Sequence, residues 1–136
     1  MRAMLLLPLG GCLSRDELFG EWDLALQRVT HGEETLDRPD SGFVNFGSRE
    51  DPVSHAWTWL YDPDERDFYA QLDPPVLVGS ALSTDLDDPL PITLDYAGMA
   101  LPFVPEERDR EVWLVLAPGG TWVGDPIGIE LLLVRP

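Results

Sequence analysis

The chain has no lysine, a single cysteine and two histidines in 136 residues. One cysteine excludes an internal disulfide and any cysteine-based metal site. The two histidines, His31 and His55, lack the close spacing of paired metal ligands. All nine basic residues are arginine, set against 25 acidic ones for a net charge of −16. A nucleic-acid partner needs a basic face, and a polybasic grip on anionic lipid needs clustered cations; neither is present. No apolar run approaches the ~20 residues that span a bilayer as a helix. No Ser lies in a G-x-S-x-G context. Nothing assembles a catalytic constellation, so the chain reads as a non-enzyme.

What is present begins at the N-terminus. Met1-Arg2 precedes an apolar run, Ala3 to Leu9, that ends in Leu9-Gly10-Gly11-Cys12. This stretch resembles the lipobox of bacterial lipoproteins. The resemblance implies a signal peptide over residues 1–11 and a lipidated Cys12 with a short tether over 12–17. The paired glycines let a peptidase approach the backbone, and the thiol accepts the acyl-bearing group. Several acyl chains, each worth about 0.8 kcal/mol per buried CH₂, hold a protein on a membrane durably. The implied location is the cell envelope. The absence of Asp after Cys12 points to the outer membrane.

The remainder, 18–136, reads as one domain, long enough for a single core. Trp22, Leu24 and Leu26 alternate with Glu21, Asp23, Ala25 and Gln27 over an expected strand from Leu18 to Val29, the period of a half-buried strand. His31 to Ser41 reads as a polar loop that leaves His31 in solvent. Phe43 to Phe46 reads as a short strand. His55, Trp57, Trp59 and Tyr61 fall on one face of the next strand, and Phe68, Ala70 and Leu72 on its return. Further strands are expected over Val76 to Ser83, Leu90 to Tyr96, Arg110 to Ala117, Thr121 to Val123 and Ile127 to Val134. Leu101 to Pro105 reads as a short extended piece between prolines. The 13 Pro and 12 Gly fall mostly between these segments. The expectation is an all-β fold of about eight antiparallel strands, in a barrel or a β-sandwich.

Gly20-Glu21-Trp22 at the head of the first strand is similar to the G-x-W start of lipocalin-like barrels. The resemblance implies a small barrel whose floor is closed by Trp22, with Arg135 after the last strand packing over it. It also implies a small apolar ligand inside, with Trp57, Trp59, Tyr61 and His55 among the walls. If those aromatics point outward instead, they form a ridge that docks on another envelope component. Asp62, Asp64 and Asp67 in one hairpin loop, and Asp85, Asp87 and Asp88 in another, offer oxygens of the kind Ca²⁺ takes. Neither loop follows an EF-hand pattern, so solvated turns and no cofactor are expected.

Overall fold

The computed structural model describes residues 15–48, 50, 54–70, 76–78, 92–96, 98–117 and 127–136. The proposed lipidation site Cys12, the aspartates 85, 87 and 88, and the segment 121–123 lie outside these residues.

After a 3₁₀ turn at Arg15–Leu18 the described chain is built of strands: β1 (Glu21–His31), β2 (Glu34–Asn45), β3 (Ser54–Thr58), β4 (Leu60–Asp62), β5 (Asp67–Tyr69), β6 (Val76–Val78), β7 (Ile92–Tyr96), β8 (Met99–Arg108), β9 (Glu111–Leu116) and β10 (Ile127–Val134). Eight of them form a closed antiparallel barrel in the order β1-β10-β9-β8-β7-β6-β3-β2. β4 and β5 form a separate two-stranded ribbon that continues β3. The barrel alternative therefore holds over the sandwich. Closure removes most sheet edges, and eight strands leave an interior that side chains can fill or that holds one small ligand.

Hydrophobic alternation drives the closure. Ile127, Ile129, Leu131 and Leu133 of β10 are all buried, as are Ile92, Leu94 and Tyr96 of β7. On β9 Leu114 and Leu116 enter the core, whereas Trp113 is buried outside it, beneath the guanidinium groups of Arg28 and Arg108. That cover lets β9 carry apolar residues on both faces.

Three segments differ from the sequence reading. The register of β1 slips between Leu24 and Leu26 against both neighbours, a β-bulge. One extra residue reverses the faces, so Gln27, Val29 and His31 turn inward and Leu26 does not. Second, β2 already begins at Glu34. Its first seven residues are mostly exposed, so they need no apolar alternation and look like a loop. Third, β8 runs straight through Pro102 and Pro105. Proline lacks only the donor, and the Pro102 carbonyl still accepts the Ala117 N–H at 2.9 Å.

At Gly42 (φ 137°), opposite Thr58, β2 passes so close to β3 that a Cβ would lie 1.9 Å from the Trp57 carbonyl oxygen. No side chain fits there without moving backbone. Gly42→Ala is expected to lower unfolding stability by about 3–4 kcal/mol in a denaturant titration. A change within about 0.5 kcal/mol, the size of an ordinary surface substitution, would show that this crossing is not tight.

Candidate functional site

One end of the barrel is sealed. The Trp22 indole N–H donates to the Leu18 carbonyl at 2.9 Å, tying the 3₁₀ turn beneath the barrel. The Arg135 guanidinium lies 3.8 Å from the Trp22 ring centroid. It also donates to the carbonyls of Glu21 (3.1 Å), Glu17 (2.9 Å) and Phe19 (3.0 Å). Gly20, at φ 99°, makes room, since a Cβ there would sit 3.0 Å from the guanidinium. Stacking of this kind contributes about 0.5–2 kcal/mol, and the three carbonyls fix its direction.

Within the barrel lies a polar cluster that the alternation of β1 conceals. Gln27 is fully buried. Its amide nitrogen lies within hydrogen-bond distance of Ser41 Oγ (2.9 Å), Thr58 Oγ1 (3.3 Å) and the Trp59 carbonyl (2.7 Å). Its carbonyl oxygen accepts the Tyr96 hydroxyl at 2.5 Å. The same hydroxyl accepts the Tyr61 backbone N–H at 2.8 Å, and the Tyr61 hydroxyl meets His31 Nδ1 at 2.8 Å. Ser41 and Thr58 bond each other at 2.8 Å. Buried polar groups persist only when satisfied in this way. Burial raises both tyrosine hydroxyls above the ordinary phenolic value, Tyr96 far more than Tyr61. His31, expected in solvent, is buried at the end of β1 because the bulge turns it inward.

This cluster bends the chain at Trp59. Up to Thr58, β3 is paired with β2 at Gly42 to Asn45. Beyond it, Leu60 and Tyr61 are both buried and β4 pairs with β5 alone. Among the described residues no ladder joins Glu34–Ser41 of β2 to β4. A seam remains in the wall. Its lower end is closed by the Trp59 N–H to the Ser41 carbonyl at 2.9 Å. Its upper end is crossed by Arg66 to Glu34 at 2.6 Å. Between them the Arg38 guanidinium stacks 3.6 Å from the Trp59 ring centroid.

The four expected wall residues therefore separate. Trp57 pairs with Phe43, which pairs with exposed Asp23, and its neighbour Ala56 is buried. Trp57 and Phe43 thus stand on the outer face, where Phe43 meets exposed His55 edge-on at 5.9 Å. Trp59 touches Trp57 edge-on at 6.4 Å and borders the seam. Only Tyr61 lies inside, between His31 and Phe68. The shared face of the sequence reading ends at Trp59, where alternation stops.

The acidic hairpin is occupied with its own turn. Asp62 Oδ1 accepts the N–H of Asp64 at 2.9 Å, and Asp67 Oδ1 accepts that of Phe68 at 2.8 Å. A shallow depression of about 310 Å³ lies over Asp62, Glu65, Asp67, Phe68 and Tyr69. Among the described residues no three acidic, histidine or cysteine side chains are grouped to hold a metal. No described helix is long and apolar enough to cross a membrane.

Sequence reasoning missed Gln27, Ser41, Thr58, Tyr96, His31 and Arg38. Gln27 alternates in sequence like its polar neighbours Glu21 and Asp23, so nothing in the pattern set it apart. No family model, curated protein or solved structure matches the chain.

Tyr96→Phe deletes the hydroxyl that joins Gln27 to Tyr61 and is expected to cost about 1–3 kcal/mol at pH 7. A folded-state phenol pKa raised above its unfolded value of about 10 contributes stability below that pH, and the contribution is lost as pH rises further. Stability should therefore fall above about pH 10, less steeply in Tyr96→Phe. Equal slopes for wild type and variant in alkaline denaturation would contradict this.

Proposed function

We propose that the protein is a lipid-anchored envelope protein whose lipocalin-like barrel carries a small apolar ligand. The observation that carries the ligand reading is the side-chain-bridged seam between β2 and the β4–β5 ribbon at one end of the barrel. Above the Trp59 N–H to Ser41 carbonyl bond this wall is joined by side chains and parts without breaking a strand ladder, whereas the opposite end is pinned by Trp22 and Arg135. The anchoring rests on Leu9-Gly10-Gly11-Cys12, with Cys12 carrying the lipid at the outer membrane. The body acts without a cofactor and without catalysis.

Two measurements test this reading. Native mass spectrometry of protein extracted from its own membrane should show a chain that starts at an acylated Cys12. An intact Met1 form with a free thiol would overturn the anchoring. Titration with N-phenyl-1-naphthylamine, an uncharged apolar fluorophore, should give saturable enhancement near one probe per chain. A linear response without saturation would overturn the ligand reading.

A second reading rests on the outer aromatics. Phe43, His55 and Trp57 make a half-exposed row on the β2–β3 face, suited to docking on another envelope component. It predicts that Trp57→Ala leaves probe binding intact but weakens rebinding of a Cys12→Ser protein to isolated envelopes. Rebinding equal to that of the parent would exclude a role for Trp57.

A further inference from the structure

The seam holds a cation of unusual status. Arg28 and Arg108 meet carboxylates, Arg66 meets Glu34 and Arg135 meets three carbonyls. Arg38 has none of these. Its Nε is buried without a hydrogen-bond partner, and among the described residues its guanidinium lies on the face of Trp59. In a chain with 25 acidic residues carboxylates are abundant, yet among the described residues none is placed on this group. The register explains the position. Arg38 stands opposite Gln27, on the inward side of β2, while its neighbour Asp37 faces out to Arg28.

A guanidinium has donors only, in a planar fork that matches a carboxylate. Stacking on Trp59 fixes the plane of that fork, so less side-chain freedom is lost when an anion arrives. A buried donor left unmet in the empty state is a group that gains from an incoming acceptor. The anion suited to a single guanidinium in a chain of net charge −16 bears one charge. A phosphate monoester would bring close to two charges into the same negative field. Next to Arg38 along β2, on the same inward side, Leu36 packs against the core. Leu36 on one side and the Trp59 ring against the guanidinium are the apolar groups beside the cation.

We propose that the seam between β2 and β4 is a recognition site for a monocarboxylate, with Arg38 holding the head group and Trp59 and Leu36 contacting an apolar tail. The proposal rests on the ligand-carrying reading above and adds the chemical class of the ligand. Arg38 sets specificity, whereas tail contacts supply affinity common to all apolar ligands.

The test is competition against bound N-phenyl-1-naphthylamine on the full chain, with decanoate and 1-decanol as competitors at pH 8. The two share a tail and differ in the head. Decanoate should bind at least about tenfold more tightly than decanol to the wild type, the scale of a charge-assisted hydrogen bond. Arg38→Gln should bring the two to within about twofold while probe binding persists. Equal binding of both by the wild type, with the probe bound normally, overturns the role of Arg38 and leaves the ligand reading standing. Failure of the probe itself to bind overturns both. Preference for decanoate that survives in a folded Arg38→Gln protein also overturns the proposal. The wild-type comparison stands on its own if the variant does not fold.

Discussion

The architecture depends on one extra residue in β1. Ala25 is extra against β10, where Leu24 and Leu26 pair with adjacent Leu133 and Leu132. It faces Asp40 and Ser41 on β2, and this turns Gln27 toward the barrel axis. A carboxamide placed there without partners would be strongly destabilising. Ser41, Thr58, the Trp59 carbonyl and the Tyr96 hydroxyl meet it, and Tyr96 in turn holds the Tyr61 amide. The chain after Thr58 is therefore held by side chains rather than by a ladder to β2. The bulge, the buried cluster and the seam are successive consequences of a single change of face. The seam in turn leaves Arg38 facing inward beside Trp59 with an unmet donor.

The two ends of the barrel have different character. At the sealed end Arg135 is saturated with carbonyls and stacked on Trp22, so that end is rigid. At the other end the β4–β5 ribbon is joined to β2 by the Arg66–Glu34 pair, whose members are about half exposed. Exposed pairs of this kind contribute little, so local opening is expected there first. The proposed ligand-carrying role draws on this division between a fixed floor and a wall that can part.

Much of the barrel was legible where one face is buried and the other wet. β10 and β7 follow strict alternation, and the all-β fold with about eight antiparallel strands follows from it. Trp22 and Arg135 were paired by resemblance, and the structure stacks them. What could not be read has local physical causes. A bulge changes face without changing composition, so Gln27 and His31 were assigned to the wrong side. The first half of β2 is exposed and carries Pro39 and Asp40, which look like a turn. Trp57, Trp59 and Tyr61 have perfect spacing for a shared face, but the demands of the buried carboxamide interrupt the strand at Trp59. Arg38 carries no signal in sequence at all, because its importance lies in the acceptor it lacks.

The central claim is that the buried Gln27 cluster, and not strand pairing, holds β4 in place. Amide hydrogen exchange at Tyr61, followed by NMR, tests it most directly. The Tyr61 N–H donates to the Tyr96 hydroxyl. The account predicts that this amide exchanges as slowly as those of β10 in the wild type, and much faster in Gln27→Ala. Exchange at the rate of the exposed hairpin in the wild type, or slow exchange retained in the variant, would contradict it.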